Sequence, residues 1–421
     1  MTQSSPCRIA AVLAFPTDGA HPLDDLAGLT LVARCVLALQ KAGIEEVLLL
    51  HSAENNEIAA RVQGDPRVRV RVVPIPCSDR TEALELLPKR SNEPILIAAV
   101  EDVVDPGIYG ALRRADPGNL LGVAAWGGEE PAGPFVASFP AELATFAVDG
   151  SDLPRRLVVA GKLAALDIRP RWHAHAGTPE GRNRASFELF EACRKPMDGM
   201  ISRNINRHIS ILVSKRLVST GVTPNQISIL TFLLGIAGAW SVAQGGYFWS
   251  LLGAFLFQWN SILDGCDGEL ARVRYQHSKL GQWLDTVFDD VSNVLFYGGL
   301  AIGAAAHSQV RIFVPCGIVA MAATLLTMAQ YYTELVRLGS GDFYAIQWGI
   351  DKAPRGVVAK IVALFERVLK KDFFIFLFLC MAVAGVLPWA LPVAAFGATI
   401  AFGAATVRNL RRLGRRPNPA A

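Results

Sequence analysis

Paired cysteines are missing from this chain. Cys7, Cys35, Cys77, Cys193, Cys266, Cys316 and Cys380 are scattered, with no Cys-x-x-Cys and no Cys/His cluster. An odd number without ligand spacing argues against a disulfide framework and against a zinc site. A basic amino-terminal stretch followed by an apolar core is also lacking, so no signal peptide is expected and the first domain is expected to stay in the cytoplasm. Charge of one sign is scarce too: 41 Lys and Arg against 37 Asp and Glu leave a net charge of +4. No polybasic tail carries interleaved aromatics, and nucleic acid is not expected as a partner. What the chain has in excess is apolar residues, 52% of the total, with a mean hydropathy of +0.32. The excess is uneven, since residues 225–407 are dominated by long apolar runs and residues 1–195 are not.

The first 195 residues read as a soluble α/β domain. Apolar runs at 8–14, 46–50, 68–74, 95–100 and 121–126 predict strands, and helical patterns are expected at 28–42, 54–63 and 107–115. This alternation predicts βαβ units and a mostly parallel, Rossmann-like sheet, with antiparallel additions after residue 127. Residues 176–198, rich in Gly, Thr, Pro and Arg, are expected to be a hinge. His173 and His175 are expected in a polar loop rather than at a metal.

From Gly199 to Thr220 an apolar stripe of Ile201, Ile205, Ile209, Leu212 and Val213 runs beside Arg203, Arg207, Lys215 and Arg216, the pattern of a basic helix lying in a membrane interface. Apolar runs follow at 226–243, 247–264, 286–306, 311–334, 372–387 and 390–407. Six spans are the most economical count, although several are short against the roughly 20 residues a crossing needs. The connections at 244–246, 307–310 and 388–389 lack Lys and Arg, and the opposite ones are basic. This bias puts the amino-terminal domain and the tail on the cytoplasmic side of the cell membrane. The expected layout is 1–190 as the α/β domain, 191–224 as linker and juxtamembrane helix, 225–410 as an all-α six-transmembrane-helix domain, and 411–421 as a basic tail.

Between the second and third runs lie Asp264, Asp267, Gly268, Ala271, Arg272, Gly281, Asp285 and Asp289. Asp264, Asp267 and Ala271 are spaced i, i+3, i+7, and Gly281, Asp285 and Asp289 i, i+4, i+8, so each set shares one helix face. Four acids converging there repel one another unless a cation sits among them. Oxygen donors alone suit Mg²⁺ or Mn²⁺, Gly268 leaves room for a ligand, and Arg272 offers a bidentate cation to phosphate oxygens. Together these residues point to phosphoryl-group transfer. Asp290 and Cys266 are expected to be a solvated neighbour and a small helix residue. Two other readings stay open: an inactive membrane scaffold or nucleotide-binding protein, and an ion-coupled transporter, the latter opposed by acids lying near one end of the spans.

The spacing Asp-x₂-Asp-Gly-x₂-Ala-Arg-x₈-Gly-x₃-Asp-x₃-Asp resembles the signature of the CDP-alcohol phosphotransferases, filled at every position. The resemblance covers about residues 196–407. It implies transfer of a substituted phosphate from a CDP-alcohol to an acceptor alcohol, releasing CMP. It further implies two metal ions on Asp264, Asp267, Asp285 and Asp289, with Asp289 as general base. The CDP group would be held by Asp264, Asp267, Gly268, Ala271, Arg272 and Gly281, in a homodimer within membrane lipid. The first domain resembles the sugar nucleotidyltransferases through its first strand, the helix after Leu29 and the segment Val100-Glu-Asp102. It departs from them at Phe15–Asp25, which has one Gly and no Lys or Arg, and at His175 and Gly177, where that family carries Asp. A nucleotidyltransferase-type domain ahead of such a membrane half is similar to the bifunctional inositol-1-phosphate cytidylyltransferase and di-inositol-phosphate phosphate synthase group. An inositol-phosphate acceptor is compatible with this, and Lys352, Arg355, Lys370 and Lys371 are candidates to hold it. The first domain itself is expected to be inactive.

Overall fold

The computed structural model describes residues 7–17, 19–87, 93–116, 120–127, 131–137, 153–195, 198–339, 341 and 370–413. The chain folds as two units: Met1–Ala192 with Val273–Tyr275, and Cys193–Arg272 with Gln276–Ala421.

In the first unit β1 (Ile9–Ala14) is apolar throughout and buried from Ala10 onward. A strand apolar on both faces needs cover on both. Ala10, Val12 and Ala14 pack with Val32, Val36 and Leu39 of α1 (Leu31–Lys41). Ala11 and Leu13 face the other way, toward Ala83 and Leu84 of α3 (Arg80–Leu86) and Leu157 of α5 (Leu153–Val159). The result is a three-layer α/β arrangement. β1 pairs in parallel with β4 (Glu46–Ser52) and β6 (Ile95–Ala99). β5 (Arg71–Cys77) extends one edge in parallel. β9 (Pro131–Ala137) enters antiparallel between β6 and β8 (Gly122–Trp126), and β10 (Leu163–Asp167) pairs in parallel with β8. The mixed sheet therefore has the order β10-β8-β9-β6-β1-β4-β5. Helices α2 (Asn56–Gln63) and α4 (Pro106–Arg114) complete the crossovers near their expected positions.

Several expectations shift in this unit. The first helix begins at Leu31, not 28, because β3 (Leu29–Thr30) pairs back on β2 (Asp25–Leu26), and Thr30 caps the helix through its hydroxyl. Helix α3 was not anticipated; Asp79 caps it by accepting from Glu82 N–H. The segment expected as a hinge instead holds α6 (Pro179–Glu191), with Thr178 as its cap and Pro179 in its first turn. The Thr178-Pro179 pair is a cap-and-proline start signal set in a composition that resembles a loop. His173–His175 form β11, antiparallel to β7 (Asp102–Val104), rather than a loop. A three-residue strand has too little alternation to be visible, and its partner is distant in sequence.

The second unit is helical: a π turn (Ser202–Asn206) leading into α7 (Arg207–Leu217), then α8 (Pro224–Ala243), α9 (Gly246–Val273), α10 (Lys279–His307), α11 (Phe313–Leu338), α12 (Lys371–Val383) and α13 (Ala390–Leu413). Among the described residues, three segments are long and apolar enough to cross a membrane: Pro224–Ala243, Phe313–Leu338 and Leu387–Leu410. Helix α12, with 13 residues, is only about 20 Å long at ~1.5 Å per residue. The bundle turns large apolar side chains outward, with Leu233 55%, Trp240 58%, Ile302 63%, Ile318 61% and Phe396 71% exposed. Such a surface is stable in lipid and not in water. Inside, Phe257 of α9 stacks on Phe296 of α10 at 4.2 Å between ring centroids, and Phe296 on Phe378 of α12 at 6.2 Å. Helices α8 and α10 approach backbone to backbone: a Cβ on Gly299 would lie 2.2 Å from the Ala239 carbonyl oxygen.

Candidate active site

Two helix starts and ends set the position of the acids. Thr223 and Gln226 form a capping box on α8, and Ser278 caps α10 by accepting from Gly281 N–H at 2.9 Å. Helix α9 carries Asp264 and Asp267 in its last third, and α10 carries Asp285 and Asp289 in its first half. Carboxylate oxygens of Asp264, Asp267 and Asp285 lie within 4.8 Å of one another. Asp267 is oriented by Ser228 of α8, whose hydroxyl donates to its Oδ2 at 2.5 Å, and by the Gly268 N–H, which donates to its Oδ1. Asp289 faces a different partner: Lys371 Nζ, at the start of α12, is 2.7 Å from its Oδ2.

Arg272 folds back along α9, since a Cβ on Gly268 would lie 3.1 Å from its Nη1. Its Nε is buried without a hydrogen-bond partner, and a buried orphan donor asks for an acceptor that the protein does not supply. Ala271 is half-buried on the same turn. Lys370 is the cap residue of α12. Lys352 and Arg355 lie outside the described residues.

Asp290 is not a solvated neighbour. It accepts from the hydroxyls of Tyr331 and Tyr332 on α11, the latter at 3.0 Å. One helix position after Asp289 is a rotation of about 100°, which turns Asp290 away from the acid face and toward α11. Ser228 and the tyrosine pair escaped the sequence reading; the available signal was a hydroxyl or phenol inside an otherwise apolar helix, where it needs a partner. Cys266 is fully buried, and its thiol donates to the Ser210 carbonyl at 3.4 Å.

The donor set fits a hard divalent ion, being carboxylate oxygen only and close enough that a cation is needed among the charges. The residues that would hold it are Asp264, Asp267 and Asp285, with Asp289 next along α10.

The first unit has its own candidate cleft, lined in part by Thr17, His21, Asp24, Gly177, Thr178 and Arg182. One charged pair lies in it, and two others lie elsewhere in the unit. Arg182 pairs with Asp24 at 3.3 Å, Arg80 with buried Glu101 at 2.5 Å, and His175 Nδ1 with Asp102 Oδ1 at 3.0 Å. The hydrogen bond to Asp102 raises the His175 pKa above the ordinary histidine value. Burial pushes the Glu101 carboxyl up, against the pull of Arg80.

In the second unit a cation is wanted among the acids and an anion beside the arginine, and a metal-bound diphosphate meets both needs. The class this defines is a metal-dependent transferase of phosphate-linked groups, embedded in a membrane. Residues 221–401 match the CDP-alcohol phosphatidyltransferase family. Over 366 residues the chain is 32% identical to the bifunctional IPC transferase and DIPP synthase of Rubrobacter xylanophilus, covering 76% of this chain and 81% of that one. The chain belongs to the CDP-alcohol phosphatidyltransferase family and is an enzyme of the CDP-alcohol phosphotransferase class. Among solved structures, the inositol-1-phosphate CTP transferase from T. maritima aligns with 44% of this chain and 97% of its own, at 14% identity and a TM-score of 0.36. The phosphatidylinositol phosphate synthase of Mycobacterium tuberculosis with CDP-DAG bound aligns with 51% of this chain and 98% of its own, at 18% identity and a TM-score of 0.34.

Proposed function

We propose that the helical unit transfers a substituted phosphate from a CDP-alcohol, of the CDP-diacylglycerol or CDP-inositol type, to a hydroxyl of an inositol phosphate, releasing CMP. The observation that carries this reading is the convergence of Asp264, Asp267 and Asp285 within 4.8 Å, on residues that fill the family spacing and with Arg272 Nε unsatisfied beside them. The Rubrobacter xylanophilus relative, by its name a DIPP synthase, supports an inositol-phosphate acceptor.

In the reaction the acceptor oxygen forms a bond to the phosphorus carrying the donor alcohol. The phosphoanhydride bond to CMP breaks, its electron pair leaves on the CMP oxygen, and Asp289 takes the acceptor's proton. Arg272, with Gly268 giving access, holds diphosphate oxygens. Lys371 meets the acceptor's phosphate and, drawn toward it, releases Asp289 to act as base; Lys370, Lys352 and Arg355 belong to the same basic stretch. Two Mg²⁺ or Mn²⁺ ions, when bound, would lower the cost of the charge developing on the CMP leaving group. The apolar runs make six spans in this reading, with α12 as the shallow fifth. The basic connections put the acids at the cytoplasmic face of the cell membrane, and the enzyme works as a homodimer. The first unit, without Lys or Arg in Phe15–Asp25 and with His175 and Gly177 in place of acids, keeps a nucleotidyltransferase fold without triphosphate chemistry.

The test is CMP release by purified protein from CDP-diacylglycerol or CDP-inositol, with Mg²⁺ and inositol phosphate. No CMP with either donor, or undiminished release by Asp289→Asn, would sink the proposal.

A further inference from the structure

The juxtamembrane helix is expected to turn its apolar stripe to the membrane interface, and the face that α7 packs inward is the other one, largely polar. Leu212 is 52% exposed, and the buried positions are Arg207, Ser210, Ile211 and Ser214. These polar groups converge on one side chain. Glu269 of α9 is fully buried and accepts from Arg207 Nη1, Ser210 Oγ and Ser214 Oγ, each at 2.7 Å. Arg207 is in turn held bidentately by Asp198, at 2.9 Å from Nε and 3.1 Å from Nη2. Four groups from the juxtamembrane segment thus act, directly or through Arg207, on one carboxylate.

The location of that carboxylate gives the network its meaning. Glu269 lies two residues after Asp267, about 200° around the helix, so it marks the back of the face that carries the acids. Gly265 lies on that back too: a Cβ there would come within 3.1 Å of Arg207 Nη1 and 3.4 Å of Ser210 Oγ, so its absence lets α7 seat against α9. The same segment reaches the other acid-bearing region. Ser202 N–H donates to Asp372 Oδ2 at 2.6 Å, and the neighbouring Lys371 holds Asp289. A fully buried carboxylate satisfied by one guanidinium and two hydroxyls is costly to desolvate and specific in geometry. Its return is a fixed rotation of α9 about its own axis.

We infer that Glu269 is a positioning residue, through which the juxtamembrane helix sets the rotation of α9 and so the spacing of Asp264 and Asp267 from Asp285. The inference rests on the metal reading of the proposed function. On this view Arg207 is a working part of the site, distinct from the loose positive charges that orient the chain in the membrane.

The experiment is Mn²⁺ binding to purified full-length protein in detergent, followed as loss of the free-ion EPR signal, with thermal stability measured in parallel. Glu269→Gln keeps the shape and removes the charge, and Ser214→Ala removes one donor while leaving the carboxylate in place. Misplaced metal ligands of this kind cost about 10- to 100-fold in affinity, and that loss is expected for Glu269→Gln, with a smaller one for Ser214→Ala. The comparison is Tyr247→Phe, which removes the bond from the Tyr247 hydroxyl to the Val383 carbonyl at 3.1 Å. It is expected to lower stability and leave Mn²⁺ affinity unchanged. Wild-type Mn²⁺ affinity in folded Glu269→Gln overturns the inference and leaves the proposed function standing. If Glu269→Gln does not fold, unchanged affinity in Ser214→Ala overturns it equally. A wild-type protein that binds no Mn²⁺ removes the metal reading itself.

Discussion

The two units treat charge in opposite ways. In the first, three charged pairs close within the unit, Arg182 with Asp24, Arg80 with Glu101, and His175 with Asp102, although Glu101 Oε2 and Arg34 Nε are buried without a partner. In the second, three carboxylates face one another within 4.8 Å and an arginine nitrogen beside them is buried without a partner. Neutralised charges are a stable end point, and a ligand entering the first cleft must displace them. Crowded like charges and an orphan donor are a cost that folding alone does not recover. The comparison teaches that crowded like charges, more than a single orphan atom or the number of polar residues, mark where a ligand binds.

The sharpest way to break the comparison is to remove one acid from each unit. Asp267→Asn is expected to lower CMP release by about 10³-fold or more, within the range for loss of a group that organises charge at the reacting centre. Asp102→Asn is expected to leave release within about twofold, and any larger loss would show that the first unit takes part in the chemistry. Next in size is Arg272→Lys. A point charge replaces a planar fork, and the KM for the CDP donor is expected to rise about 10- to 100-fold in steady-state assays, more than kcat falls. Asp290→Asn tests whether the tyrosine pair is structural: a loss of about 1–3 kcal/mol in thermal stability is expected for weakening a buried charged acceptor, with CMP release changed only a few-fold. A collapse of activity at full stability would move Asp290 into the site.

The smallest effect concerns pH in the first unit. The His175 pKa is raised in the fold by Asp102, so the protonated pair adds stability below the ordinary histidine pKa and loses it as pH rises through the raised folded value. The side chain is 55% exposed, which limits the contribution to under about 1 kcal/mol. Thermal unfolding of the first unit is therefore expected to be slightly later at pH 6 than at pH 8, with part of that difference gone in His175→Gln. An unchanged difference would place the pH sensitivity elsewhere.

Much of the candidate site was legible before the fold was known, because helical periodicity is local. Asp264, Asp267, Asp285 and Asp289 have to share faces once two helices form, and the apolar runs around them call for helices. The mixed sheet was legible for the same reason, with strand-length apolar runs alternating with helix patterns. Short elements were not: β11 has three residues, and α6 began at a Thr-Pro pair that composition alone disguised as a hinge.

The sequence by itself determined the family spacing, the order of an α/β half before a helical half, and the helix faces that carry the acids. Only the tertiary structure decided that Lys371 reaches Asp289, that Tyr331 and Tyr332 hold Asp290, and that the polar face of α7 is the buried one, gathered on Glu269. The physical reason is the range of the forces involved. Backbone hydrogen bonding fixes which residues share a helix face within a few positions of each other. Which face of one helix meets which face of another depends on burial and charge pairing between segments far apart in the chain.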